Sequence, residues 1–220
     1  MDDVVTVDAG RLRGISSSDG TVRRFLGVPY AAPPVGERRW RPPQPVSGWS
    51  GIRDATAYGP AGRQPAIPAN SLYYGHETRF SEDCLYLNVW TGSVSGPVGR
   101  PVMVWLHPGA YQFGSGQNPL YDGSALARDG ITLVTINHRL GRFGFLSHPL
   151  LSKESGYGGS GNYGLMDIIE ALRWIQRNIE HFGGSPDNVT LFGVSAGGNS
   201  VHNLRACPLA KGPDLRRGCL

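Results

Sequence analysis

Residues 190–200 read TLFGVSAGGNS, and Gly193-Val194-Ser195-Ala196-Gly197 at their centre is a G-x-S-x-G pentapeptide. In a chain with 32 glycines such a pentapeptide also arises by chance. Its setting gives it weight. The apolar run VTLFGV enters the serine and AGGNSVHNLRA, with helical character, follows it. A serine on so sharp a strand-to-helix turn is pushed to the C-terminal edge of a sheet, and its strained backbone needs small neighbours such as Gly193 and Gly197. The following helix presents free N–H groups and the positive end of its dipole, which favour a developing oxyanion, with Ala196 N–H as one donor. A second element is His107-Pro108-Gly109-Ala110-Tyr111, directly after the run VMVWL. Alone it reads as an ordinary strand exit. Beside the serine turn, it is a small-residue loop able to supply further N–H donors.

A nucleophilic serine needs a histidine and a carboxylate, in the chain order serine, acid, histidine on this kind of sheet. After Ser195 the only acid is Asp214 and the only histidine His202. His202 falls two turns down the expected helix, about 10 Å from the serine along the axis. A general base must be within about 3 Å. His107 stands at a strand end near the site, while His76, His138, His148 and His181 read most simply as loop or surface residues. No residue of this chain is a convincing partner for Ser195.

Regular elements must position this chemistry. Residues 4–30 read as short strands broken by turns at Ala9-Gly10 and Asp19-Gly20. AAPPVGERRWRPPQP follows, and its prolines forbid regular helix or central strand. Residues 59–80 form another irregular stretch. Then come CLYLNVW (84–90), VMVWL (102–106), ITLVTI (131–136) and VTLFGV (189–194). The last three are nearly continuous in apolar or β-favouring residues, as in strands buried on both faces of a parallel sheet. Residues 164–182 predict a helix, because Leu165, Ile168, Ile169, Leu172, Ile175, Ile179 and Phe182 recur at three- and four-residue steps. Gly183-Gly184 ends it. Strand and helix in alternation mean an α/β fold.

Composition narrows the function classes. The 220 residues carry a formal net charge of +4, and the basic residues are scattered except for pairs such as Arg38-Arg39 and Arg216-Arg217. Without a basic stripe, nucleic acid is not an expected partner. No run approaches the ~18 apolar residues of a membrane span. The start, MDDVVTVDAG, lacks the apolar segment of a secretory signal, so the cytoplasm is the default location. Cys84, Cys207 and Cys219 form neither a paired framework nor a metal-binding spacing, and no cofactor or metal is expected.

Longer blocks carry a resemblance. FGGSPDNVTLFGVSAGG (182–198), SEDCLYLNVW (81–90), FLGVPYAAPPVGERRW, TINHRLGRFGFLS and GNYGLMD resemble the type-B carboxylesterases, the cholinesterase-like branch of the α/β-hydrolases, from about residue 10 to about 212. The fold this implies is an α/β-hydrolase with a mostly parallel sheet and N-terminal antiparallel strands, ending after the helix that follows the serine. Residues 1–220 would be the N-terminal part of one such domain. The resemblance implies hydrolysis of a small-molecule ester through an acyl-enzyme on Ser195, with Gly109, Ala110 and Ala196 N–H groups as the oxyanion hole. It gives His107 a loop-shaping role, and implies two scaffold ion pairs, Arg39 with Glu82 and Arg139 with Asp167.

Departures from the family pattern are specific. Pro108-Gly109-Ala110 stands where three glycines are usual, and proline has no N–H, although it falls on the first glycine, which is not a donor. Ala110 adds a methyl group where substrate approaches. Val194 replaces a frequent glutamate, His138 a common tyrosine, and no cysteine precedes Cys84 to bridge it. Relatives are more than twice this length, with their acid and histidine in the part not present here. RACPLAKG resembles the family and PDLRRGCL does not continue it, a pattern that a frameshift or early stop produces. A sheet ending at the serine strand exposes an apolar edge, so self-association is expected. Two other readings stand beside the esterase. One is an inactive remnant or non-enzymatic binding module, the other a lipase or peptidase on the same scaffold.

Overall fold

The computed structural model describes residues 3–71, 74, 75, 77, 79–93 and 98–210. Its strands are β1 (Val4–Val7), β2 (Gly10–Arg13), β3 (Ile15–Ser16), β4 (Val22–Pro29), β5 (Ile52–Asp54), β6 (Ala61–Gly62), β7 (Phe80–Ser81), β8 (Tyr86–Gly92), β9 (Arg100–Leu106), β10 (Thr132–Ile136) and β11 (Gly184–Gly193). Its helices are α1 (Ser124–Arg128), α2 (Gly141–Phe145), α3 (Pro149–Glu154), α4 (Tyr163–Asn178) and α5 (Ala196–Ala206).

The principal sheet has the order β11-β9-β10-β8-β4-β3. Parallel pairing joins β11 to β9 and β9 to β10, the three strands foreseen as parallel, and their C-terminal ends carry the site. β10–β8, β8–β4 and β4–β3 are antiparallel. A separate sheet pairs β2 with β1 antiparallel and with β5 parallel.

Alternation along the strands explains the layers. Val102, Val104 and Leu106 of β9, Val189 and Leu191 of β11, and Val134 and Ile136 of β10 share one face and are buried in a single core. The stripe Ile168, Ile169, Leu172 and Ile175 of α4, with Val201 and Leu204 of α5, covers that face. Each such side chain contributes roughly 1.5–3 kcal/mol when fully buried. On the other face α1 covers Leu133 and Trp90, whereas Met103, Trp105 and Phe192 are only partly buried. Of these three parallel strands β10 alone is buried throughout, while β9 and β11 alternate. Among the described residues β11 is an edge strand.

Three segments differ from the sequence expectation. The helix expected over 164–182 is α-helical to Asn178 and tightens to a 3-10 turn over Ile179–Phe182, closed by left-handed Gly183 at φ 81°. The proline-rich segment contains a short 3-10 turn, Gly36–Arg38, which fits between its prolines. Within the irregular stretch 59–80, the ends meet, because β6 pairs with β7.

Two buried polar arrangements follow β10. The Asp167 carboxylate accepts from Arg139 Nη2 at 2.7 Å, Nε at 2.9 Å and backbone N at 3.0 Å. Their side chains are 0% and 3% exposed, and Arg139 Nη1 donates to Arg41 O at 2.9 Å. Burial works against the Arg139 charge, and Asp167 outweighs it, holding the guanidinium above its ordinary pKa. α4 is thus fastened to the exit of β10.

The second arrangement corrects the reading of His138 as a loop or surface residue. Its ring is buried and stacked on that of His107, with centroids 5.0 Å apart and planes 6° from parallel. The cause is its position: it stands two residues beyond the end of β10, beside His107 at the end of the neighbouring β9. Each ring donates from Nδ1 to a neighbouring carbonyl, His107 to Pro108 O at 2.8 Å and His138 to Arg139 O at 3.0 Å. Burial lowers both pKa values, with the proximity of His138 adding to the effect on His107, to about 3 for His107 and about 4 for His138.

Two stability measurements test these arrangements. Asp167→Ala leaves a buried guanidinium unpaired and is expected to cost about 3–5 kcal/mol in urea unfolding. A loss within experimental error of zero would contradict the pairing. The histidines are neutral when folded and bind protons near pH 6.5 when unfolded. Stability should therefore be level above about pH 6.5 and fall as pH drops towards the folded values, by up to ~1.4 kcal/mol per pH unit for each histidine. In His138→Tyr the slope between pH 6.5 and pH 4 should be about half as steep; an unchanged slope would exclude His138 as its source.

Candidate active site

β11 ends at Gly193, Val194 is exposed, and Ser195 follows at φ 56°, ψ −120°. A positive φ at a non-glycine residue costs of order 1–3 kcal/mol and persists only where its surroundings impose it. Here the surroundings are backbone. A Cβ on Gly197 would lie 2.1 Å from Leu106 O and 3.0 Å from His107 O. The first turn of α5 therefore rests against the end of β9, which only glycine permits. Asn199 N–H donates to Ser195 O at 2.9 Å and starts the helix. The Ser195 hydroxyl caps nothing in α5, and the side chain is exposed.

The loop after β9 faces this turn. Gly109 has φ 130°, and a Cβ there would lie 1.9 Å from Phe113 O. Gln112 and Phe113 N–H groups both donate to Gly109 O, at 2.8 and 3.1 Å. Ala110 and Tyr111 also have positive φ, 51° and 61°. Side chains from elsewhere impose this path. Gln64 accepts from Gly114 N at 2.7 Å and donates to Gly114 O at 3.1 Å. Asn137 accepts from Gly116 N and the Thr135 hydroxyl donates to Gly116 O, both at 2.7 Å. The Ser200 hydroxyl of α5 bonds the Tyr111 hydroxyl at 3.4 Å. Among the described residues, no carbonyl accepts from the N–H groups of Gly109, Ala110 or Ala196.

The described histidines do not gather at Ser195. His107 is turned to Pro108 O, and its buried Nε2 has no partner among the described residues. His148, His181 and His202 are exposed, His202 on α5 beyond the serine. His76, Asp214, Arg216-Arg217 and Cys219 lie outside the described residues. Arg39 grips Glu82 at two points, Nε to Oε2 at 2.5 Å and Nη2 to Oε1 at 2.8 Å, away from the serine turn. No described group of three His, Cys, Asp or Glu side chains is arranged to hold a metal ion. No described helix is long and apolar enough to cross a membrane.

Sequence reasoning missed the residues that shape the loop. Gln64 lies in an irregular stretch, and Thr135 and Asn137 read as ordinary residues at the end of a strand. Nothing local marks them, because their partners are 19 to 50 positions away.

Comparisons with known proteins establish the family. Residues 1–217 match the model of the carboxylesterase family. The chain is 48% identical over 204 residues to a fumonisin B1 esterase of Sphingopyxis macrogoltabida, covering 92% of this chain and 36% of that one. It is 48% identical over 210 residues to a para-nitrobenzyl esterase of Bacillus subtilis, covering 95% and 41%. A solved PNB esterase superposes with a TM-score of 0.89 at 44% identity, covering 99% of this chain and 43% of that one. The chain thus spans about two fifths of the length of these relatives. A match of this extent, with an α/β-hydrolase sheet that superposes at this level, places the chain in the carboxylesterase family.

Proposed function

We propose that residues 1–220 are the N-terminal part of one α/β-hydrolase domain whose activity is carboxylic ester hydrolysis. Ser195 Oγ attacks the ester carbonyl of a small-molecule substrate. The resulting oxyanion is met by the N–H groups of Gly109, Ala110 and Ala196, from which no described carbonyl accepts. Collapse expels the alcohol and leaves an acyl-enzyme, which water hydrolyses. One observation carries this reading: an exposed serine held at positive φ, on a turn packed against the loop that bears the unused N–H groups.

The proton of Ser195 needs a base, and no histidine among the described residues takes that place. In this reading the base and its carboxylate belong to the part of the fold that this sequence does not include. The same observation favours a second reading, a catalytically inactive remnant or a binding module on the same scaffold.

A fluorophosphonate probe and a p-nitrophenyl acetate assay separate the two. The esterase reading expects slow labelling at Ser195, lost in Ser195→Ala, with kcat roughly 10⁶ below that of a complete triad. Sustained turnover would sink the incomplete-triad account, and no labelling would favour the inactive remnant. The open edge of β11 offers unpaired backbone groups to a second copy. Sedimentation across a concentration series is expected to show association; a monomer that melts cooperatively at every concentration would refute it.

A further inference from the structure

A cavity of about 380 Å³ lies beside the loop that follows β9. Arg63 and Arg142 line it, together with the carboxamides of Gln64 and Gln112 and the apolar Pro65 and Phe143. No described carboxylate lines it. Both arginines are exposed, and neither has an ion pair or side-chain hydrogen bond among the described residues. Glu82 shares a smaller cleft with Arg63, but both its oxygens are taken by Arg39. Two guanidinium groups thus face one concave space without a counter-charge.

The cavity wall and the loop are one hydrogen-bonded unit. Gln64 holds Gly114 at both its N–H and its carbonyl. Gly141, also in the wall, donates to Tyr111 O at 2.7 Å. Gln112 N–H bonds Gly109 O in a tight turn, which keeps their Cα atoms within about 7 Å. The wall residue Gln112 and the N–H group of Gly109 thus belong to one turn of the same loop.

We propose that this cavity is a carboxylate-recognition subsite, which takes the free carboxylate of an acidic ester such as the half-ester of a dicarboxylic acid. The guanidinium fork matches a carboxylate in charge and in planar geometry. Pro65 and Phe143 suit the methylene chain joining the two carboxyl groups, which a bare phosphate lacks. The catalytic role of the subsite rests on the esterase reading of Ser195; its binding role does not.

Two experiments on the 220-residue chain keep these apart. In calorimetry, glutarate should bind saturably and at least ~10-fold tighter than neutral glutaramide or inorganic phosphate. Arg63→Gln and Arg142→Gln should each weaken it by ~10-fold or more, the scale of one charge-assisted contact. Arg128→Gln, an exposed arginine on α1, should leave it unchanged. Equal binding of glutarate and glutaramide, or unaltered binding in both cavity variants, overturns the subsite. Tighter binding of phosphate overturns its ligand class. By mass spectrometry, mono-4-nitrophenyl glutarate should acylate Ser195 at least ~10-fold faster than 4-nitrophenyl pentanoate, and the Arg63→Gln/Arg142→Gln double variant should bring this ratio near one. Acylation by neither ester counts against the nucleophile reading alone, and the calorimetry still decides the subsite. Acylation by both at equal rates overturns the subsite's role in substrate choice.

Discussion

The close approach of Gly197 to the carbonyls of Leu106 and His107 is the contact on which the site depends. It brings the first turn of α5 against the end of β9, so the serine turn and the loop after β9 cannot be placed independently. Parallel pairing of β9 and β11, from Val102 with Val189 to Leu106 with Gly193, sets the two strand ends level. The left-handed conformation of Ser195 then has only one way out, along α5. A side chain at position 197 would separate the two segments, with consequences for every donor around the serine.

Around this contact the structure spends polar groups to fix backbone. Asn137, Thr135 and Gln64 hold the far side of the loop, and the His107 imidazole holds its near side. Three successive residues, Gly109, Ala110 and Tyr111, take positive φ within these anchors. The path of the loop is therefore held by side chains of the protein itself, the condition under which the N–H donors proposed above would be worth most. Beside it lies a buried layer: an ion pair at Arg139 and Asp167, and two imidazoles stacked face to face. Removing charge from that layer, or adding it, acts on the loop through the exits of β9 and β10.

The want of a described base beside Ser195 and the uncounterbalanced arginines bear on different properties. The first concerns reactivity, since a serine without a base within reach remains a weak nucleophile. The second concerns recognition: two guanidinium groups in a concave wall favour an anion whether or not the serine turns over. The partly buried Met103, Trp105 and Phe192, together with the open edge of β11, make the uncovered face of the sheet a third feature of the same region.

Much of this was legible in the sequence because it is written in local pattern. Apolar runs gave the parallel strands, three- and four-residue spacing gave α4, and Gly193 and Gly197 around Ser195 gave the turn between strand and helix. The motif blocks gave the family. Other features depend on residues far apart in the chain, and no local pattern encodes them. His138 read as a surface residue because one histidine after a strand carries no sign of burial; only the pairing of β9 with β10 sets it against His107. Gln64 and Arg63 sat in a stretch without periodicity, and the ends of that stretch are closed by β6 and β7. The sequence by itself determined the nucleophile candidate and the strands and helix that carry it. Only the tertiary structure decided how the loop is held and which charges share a cavity, because those properties arise from side chains that meet across tens of residues.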